Sequence, residues 1–511
     1  MNNMSLRKNE FGDWQTNYSL AVSICKHLKS QGINPQIVIE PTCGIGNFVI
    51  AATEVFDNLE RVYCIEINHD YTEELSRRLR NTHLHGIDVS VINDSIFNVN
   101  MSEIKGQIHG KEILVLGNPP WVTNSKLGSM GSSNVPNKSN FKQKKGMDAI
   151  TGKSNFDIAE YILYQMIELI EYEKGWLSFI LKNSVIKNLI YEQKRRHFKI
   201  KDIRQYNINT QIEFNVSVAG SILTLQSGEE CECQCRTYDF YGKVFLKTYG
   251  WTGNHFVADC NKYSRVMDID GYSQVKWWSG LKHDCTKVME LTKEGDNTYR
   301  NSLGEFVHIE DEMVFPLLKS SDIKEKYISK CRKYVIVTQR HTSDDTAYIK
   351  NKYPLTFNYL DEHVSFFSNR KSIIYRNRPA FCIFGIGDYS FKKYKIAISG
   401  LYKQTCFSLV SDIDGKTVMV DDTAYITGFD NKFLAETTLK ILNSNIVQEF
   451  VNALLFEDAK RPINKDLLMR IDLLKALDML DKKSLDITDK ECVIYRNKIS
   501  QQLELQLPLQ F

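Results

Sequence analysis

Through its first half the chain alternates short aliphatic runs with longer stretches of mixed polarity. Residues 37–39 form an apolar run ending at Glu40, residues 62–65 a second ending at Glu66, residues 89–92 a third ending at Asn93 and Asp94, and residues 113–116 a fourth ending at Gly117 and Asn118. Two further runs, 176–181 and 221–225, continue the series. Uniformly apolar runs of this length predict strands buried on both faces. Between them, residues 70–80, 156–171 and 184–198 read as helices. Strands separated by helices predict an α/β fold with a largely parallel sheet covered on both sides. Ligands of such sheets sit beyond the carboxyl ends of the strands, and here those ends carry Glu40, Glu66, Asp94 and Asn118. The alternation breaks near residue 240. The expected boundary lies between 228 and 245, giving a first domain of about 1–240 and a second, mixed α+β domain of about 241–511.

Composition narrows the class. The chain has 511 residues, 42% of them hydrophobic and 25% charged, which suits a folded two- or three-domain protein. No apolar run is long enough to span a bilayer and the polar N-terminus lacks a secretory core, so a cytoplasmic protein without membrane contact is expected. The 12 cysteines are scattered and read as reduced thiols. Cys231, Cys233 and Cys235 alternate as though on one face of a strand, with no neighbouring His to complete a tetrahedral site, and no metal is expected. A net charge of +3 permits nucleic-acid binding without requiring it. Residues 123–153 form a loop-like stretch in which Lys126, Lys138, Lys142, Lys144, Lys145 and Lys153 face a single acid, Asp148.

Two motifs carry candidate chemistry. Glu40-Pro41-Thr42-Cys43-Gly44-Ile45-Gly46-Asn47-Phe48 follows the first strand. Its paired glycines allow a tight turn and close approach of backbone N–H groups to a ligand. Glu66, one strand on, suits a ribose diol, because a carboxylate accepts from both hydroxyls, although a solvated strand end would look the same. Gly117-Asn118-Pro119-Pro120-Trp121 is sharper. Two prolines remove two N–H donors and leave outward carbonyls. Asn118 adds a side-chain acceptor, so an exocyclic amine could give both hydrogens to this turn. Trp121 offers a face for stacking a base; a proline-rich turn beside a buried Trp is the plainer reading.

In this order, EPTCGIGNF followed by NPPW resembles the amino-methyltransferases that modify DNA, in the arrangement with cofactor motifs first, the catalytic motif next and target recognition last. The resemblance covers roughly residues 10 to 226. It implies a Rossmann-like methyltransferase domain that uses S-adenosylmethionine to methylate a flipped base in double-stranded DNA, adenine N6 being the expected acceptor. It further implies a catalytic turn of Asn118, Pro119, Pro120 and Trp121, with Trp121 and Phe214 against the base. The implied cofactor set is Thr16, Glu40, Thr42, Gly44, Gly46, Glu66, Ile67, Asp94, Ser95, Asn118 and Phe156. Thr16 would help hold the methionine carboxylate, Asp94 would accept from the cofactor adenine amine, and Phe156 would pack on that adenine. Glu40-Pro41-Thr42 departs from the more common Asp-Pro-Ala but keeps the carboxylate.

The second half carries no recognisable catalytic motif and no nuclease cluster, so any cognate restriction endonuclease is expected to be a separate protein, with the methylase a monomer. Tyr375-Arg376-Asn377-Arg378, with Phe381, Phe384, Tyr389, Phe391, Lys392, Lys393, Tyr394, Lys395 and Tyr402, interleaves bases and aromatics as phosphate and base contacts would. A sheet with aromatics inside and lysines solvated would give the same pattern. Cytosine N4 is the nearest rival acceptor, since the same chemistry serves it. A non-catalytic DNA-binding protein on a methylase-like fold is the rival of another class. Glutamine and guanine-N2 RNA methyltransferases share the motif but tend to be shorter.

Overall fold

The computed structural model describes residues 14–84, 86–123, 125, 157–295, 298–402, 405–456, 461–481 and 485–504. The chain divides into two compact units, Met1–Cys260 and Asn261–Phe511.

The first unit is built on one ten-stranded sheet. Its elements in chain order are α1 (Tyr18–Ser30), β1 (Ile37–Glu40), α2 (Asn47–Val55), β2 (Arg61–Ile65), α3 (His69–Arg80), β3 (Asp88–Ile92), α4 (Met101–Ile108), β4 (Glu112–Gly117), α5 (Ile158–Ile170), β5 (Lys174–Lys182), α6 (Asn183–Arg196), β6 (Ile200–Asn207), α7 (Thr210–Phe214), β7 (Gly220–Ser227), β8 (Gln234–Asp239), β9 (Phe245–Thr252) and β10 (His255–Val257). The strand order is β10-β9-β8-β6-β7-β5-β4-β1-β2-β3. Strands β1 to β5 pair in parallel, and β7 inserts antiparallel between β5 and β6. The carboxyl ends of β1 to β4 therefore lie along one rim, as the expected Rossmann-like fold requires. β1 is buried along its whole length, which matches its all-aliphatic face pattern. The helices are capped by local chemistry: Asn17 accepts from Leu20 N–H at α1, and Asn68 accepts from Asp70 N–H at α3.

The first unit extends about 20 residues beyond the expected boundary. β8 pairs in parallel with β6 and β9 folds back on β8, so residues to Val257 continue the same sheet. The cysteine cluster also differs from the sequence reading. β8 begins at Gln234, so Cys231 and Cys233 precede the strand and are half-buried, while Cys235 is buried within it. His197 reaches Cys231, Nδ1 to Sγ 3.9 Å. Among the described residues no group of three His, Cys, Asp or Glu side chains converges as a metal site. No described helix is long and apolar enough to cross a membrane.

The second unit holds a six-stranded and a five-stranded sheet. The six-stranded sheet comprises β12 (Glu290–Gly295), β13 (Thr298–Asn301), β14 (Phe306–Val307), β15 (Val314–Leu318), β17 (Lys333–Ile336) and β20 (Met419–Val420). The other comprises β11 (Trp278–Ser279), β16 (Tyr327–Ile328), β18 (Tyr394–Ser399), β19 (Ser408–Val410) and β21 (Ala424–Phe429), with helix α8 (Lys432–Leu442) packed on it. The basic and aromatic residues singled out in the sequence separate here. Tyr375, Phe381 and Lys395 are buried, while Arg376, Arg378 and Lys393 are exposed.

Lys395 is the extreme case, only 1% exposed on β18. Its Nζ donates to the Lys392 carbonyl and to Thr417 Oγ1, both at 2.7 Å. Desolvation pulls its pKa from 10.5 down to about 7, against a weaker pull upward from Asp412. Between these values the unfolded chain binds a proton that the folded chain does not, so this residue's penalty is complete below pH 7 and lifts as pH rises toward 10.5. The slope is ~1 kcal/mol per pH unit. Lys395→Met is expected to remove that slope: urea unfolding between pH 7.5 and 9 should show stability rising with pH more steeply for the wild type than for the variant. Equal slopes would contradict a depressed lysine.

Candidate active site

The glycine loop between β1 and α2 is tied down on three sides. Cys43 N–H donates to the Ile65 carbonyl at 2.9 Å, joining the loop to β2. Arg78 Nη1, on α3, donates to the Ile45 carbonyl at 2.6 Å, and Ile45 N–H points to Gln15 Oε1 at 3.4 Å. Both glycines have positive φ, 52° at Gly44 and 79° at Gly46. A Cβ at Gly44 would overlap the Gln15 amide and one at Gly46 would overlap Leu75. Left-handed backbone alone costs a side chain ~1–2 kcal/mol, before any overlap.

Glu66 lies under this loop. Its Oε2 accepts from Gly44 N–H at 2.9 Å and its Oε1 from Asn68 N–H at 2.8 Å. Asn93 fixes the same strand end, donating from Nδ2 to the carbonyls of Glu66 (2.9 Å) and Ile67 (3.3 Å). Ile67 itself is 51% exposed, an aliphatic side chain held in the open on the rim. The exposed Asp94 accepts through Oδ1 from Ser95 N–H (2.6 Å) and Asn98 Nδ2 (2.9 Å). Ser95 is buried and its Oγ accepts from Phe97 N–H at 3.2 Å.

Between β1 and β4 the site turns polar in its interior. Glu40 is 3% exposed, and a Cβ at Gly117 would stand 3.4 Å from its Cγ, so the two strand ends lie side by side. Glu40 Oε2, Thr42 Oγ1 and Asn118 Oδ1 are buried without a hydrogen-bond partner. Burial raises the Glu40 carboxyl well above the usual carboxylate range, helped by the Cys43 thiol and by Glu66. Three polar atoms left unpartnered at these two strand ends ask for a ligand that brings hydrogen-bonding groups, donors to the carboxyl and the amide oxygen above all.

The amide of Asn118 is oriented by the N-terminal segment. Its Nδ2 donates to the Trp14 carbonyl at 2.8 Å and to Thr16 Oγ1 at 3.3 Å. A main-chain carbonyl can only accept, which assigns the nitrogen and leaves Oδ1 as the orphaned acceptor. Thr16 is buried, and its carbonyl accepts from Asn47 Nδ2 at 2.7 Å, so one strand of chain bridges the glycine loop and the Asn118 turn. Pro119 is buried, and the half-buried Pro120 accepts through its carbonyl from Val122 N–H at 3.1 Å.

Trp121 differs from the open stacking face that the sequence suggests. It is 8% exposed, its Nε1 points to the Ile180 carbonyl at 3.4 Å, and its ring rests where a Cβ on Gly220 would overlap it. Phe214, on α7, is brought to it with ring centroids 5.9 Å apart and planes at 55°. A base between parallel faces needs two contact gaps of ~3.5 Å each, so one ring must swing to admit it. Phe156 and residues 126–153 lie outside the described residues. Asp157 caps α5 by accepting from Ala159 N–H at 3.1 Å and pairs with Lys182 Nζ at 2.5 Å.

Comparison with known proteins shows the family. Residues 51–218 match the Eco57I restriction-modification methylase family. The chain is 38% identical over 484 residues to the type II methyltransferase M.NspV from Nostoc sp. (strain ATCC 29411 / PCC 7524), covering 93% of this chain and 98% of that protein. The chain belongs to the restriction-modification methyltransferases. Among solved structures, the type IIL restriction-modification enzyme MmeI in complex with DNA shares the fold at a TM-score of 0.51, 12% identity, with 99% of this chain and 75% of that one covered. In this methyltransferase the parts missed by sequence reasoning are those that orient others: the Trp14 carbonyl, Gln15, Asn47, Asn68 and Arg78. A polar residue opening a helix that is apolar from Phe48 to Ala52 was the one available signal, for Asn47.

Proposed function

We propose that this methyltransferase transfers a methyl group from S-adenosylmethionine to the N6 amine of an adenine flipped out of double-stranded DNA, with residues 261–511 as the target recognition domain and a separate endonuclease as the cognate partner. The observation that carries the reading is the Asn118 amide, clamped through its nitrogen and presenting a buried, partnerless oxygen. The orphaned Glu40 and Thr42 atoms fit the donors of an aminoacyl group.

The cofactor supplies a methyl already activated on a sulfonium, so no metal and no covalent nucleophile is required. Glu40 holds the methionine amine, and Thr16 and Thr42 stand beside it for the carboxylate and amine ends. Gly44 and Gly46, without side chains, let the cofactor come close to the loop backbone. Glu66 accepts from the ribose hydroxyls alongside its two backbone donors, since a carboxylate accommodates about four. Ile67 covers one adenine face, and Asp94, next to Ser95, accepts from its amine; Phe156, outside the described residues, keeps the adenine-packing role that the family resemblance implies. On the substrate side, Asn118 Oδ1 and the Pro119 carbonyl take the two hydrogens of the target amine. These bonds orient its lone pair and strengthen as positive charge develops on nitrogen. Pro120 fixes the turn, and Trp121 and Phe214 hold the base that leaves the stack.

Two outcomes test this. Asn118→Ala is expected to bind cofactor and DNA nearly as the wild type does and to lose ~2.7–4 kcal/mol of barrier reduction in single-turnover methyl transfer. Near wild-type turnover by that variant would refute the role. Burial raises the Glu40 carboxyl well above its usual range and a bound ammonium favours its ionised form, so cofactor binding should release a proton at Glu40 and weaken as pH falls. Calorimetry in buffers of different ionisation enthalpy reads this release, and Glu40→Gln should abolish its contribution. An unchanged proton count in that variant would contradict the assignment.

A further inference from the structure

The second unit contains ten arginines. Eight are engaged: Arg265, Arg300, Arg332, Arg340, Arg461, Arg470 and Arg496 face carboxylates, and Arg370 donates to the carbonyls of Phe367 and Cys382. Arg376 and Arg378 are exposed and neither guanidinium faces a described carboxylate; Arg378 lies 5.9 Å from the Phe384 ring centroid. They flank Asn377, itself exposed and at φ 57°, so that the three residues share one turn.

The turn stands on a rigid base. Tyr375 is 8% exposed and meets Phe384 edge to face, centroids 5.3 Å apart. Arg370, locked by its two carbonyls, lies 3.7 Å from the Tyr375 ring centroid. Phe384 exchanges two 2.8 Å backbone hydrogen bonds with Lys282. Residues 363–387 contain no Asp or Glu, and Asp284, the acid whose charge reaches Tyr375, pairs with Lys282 at 3.7 Å. A protein that neutralises nearly every other arginine of this unit thus holds two forks without a carboxylate partner, one of them over the Phe384 ring, on a stretch of chain free of Asp and Glu. Exposed long side chains without partners are normally mobile and cheap. Here the backbone beneath them is fixed, which is what reading a base edge requires and what a diffuse phosphate contact does not.

Resting on the proposed DNA substrate, we infer that Arg376 and Arg378 read guanine in the major groove of the target site, each through the paired acceptors O6 and N7. The rigid, planar guanidinium fork matches that acceptor pair better than an ammonium on a flexible stem does. Asn377 between them carries the amide that matches the adenine edge.

The test compares modified-base maps of genomic DNA from cells expressing the full chain as wild type, Arg376→Ala, Arg378→Ala, and the charge-keeping Arg376→Lys and Arg378→Lys. The wild-type motif should contain a G·C pair. In each variant, discrimination at one such pair should fall roughly 5- to 150-fold, with methylation appearing at sites that carry another base there. The lysine variants should relax the same position although their charge is kept. Should an alanine variant methylate too little to map, competition binding settles it: duplexes with and without the G·C pair should compete equally for the lysine variant and unequally for the wild type. A motif without G·C pairs, or variants that keep the wild-type motif and lose activity evenly at all sites, would overturn the inference and make these residues phosphate anchors. Absence of any DNA methylation by the wild type would instead overturn the proposed function.

Discussion

Glu40 is a carboxyl buried where two parallel strands end, with one oxygen lacking any partner. A parallel sheet forces this arrangement. β1 and β4 are hydrogen-bonded neighbours that stop at the same level, and Gly117 lets the Glu40 side chain occupy the space between them. An uncompensated ionised carboxylate in such a place costs several kcal/mol, so burial favours its neutral form and a cationic partner would favour its charged one. The surrounding loop, with two glycines in left-handed backbone and ties to Gln15, Arg78 and Glu66, holds that arrangement open against collapse.

The Asn118 turn shares this support. Thr16 touches the Asn118 amide with its hydroxyl and the Asn47 amide with its carbonyl, so the segment before α1 couples the glycine loop to the NPPW turn. In the proposed mechanism, pre-organisation of this kind is what would let a side chain with ordinary chemistry serve a demanding transfer. Its acceptor is desolvated and aimed before substrate arrives, and no reorganisation is needed at the moment of reaction.

Much of the fold and the strand-end residues was legible because each is a local signature: an aliphatic run, then a polar residue at its end. β6 was not, because Lys201, Asp202 and Arg204 interrupt its apolar pattern where the strand bulges, and Asp202 pairs with Arg204 and Arg236 across the surface. α2 was hidden by the opposite cause, since nearly every residue from Phe48 to Thr53 is buried and no polar face marks a helical period. The supports of Asn118 are main-chain carbonyls and distant amides, which leave no trace in residue type. The basic and aromatic stretch of the second unit shows the same limit: Lys395 and Arg376 look alike in sequence, yet one is a buried strand residue bonded to Thr417 and the other stands in solvent.

The central claim is methyl transfer to an exocyclic amine by the site that Glu40 and Asn118 organise. The most direct measurement is mass spectrometry of nucleosides digested from unmethylated double-stranded DNA after incubation with the purified protein and isotope-labelled S-adenosylmethionine. The account predicts labelled N6-methyldeoxyadenosine. Label on cytosine N4 would contradict the adenine assignment, and DNA that acquires no label would contradict the account as a whole.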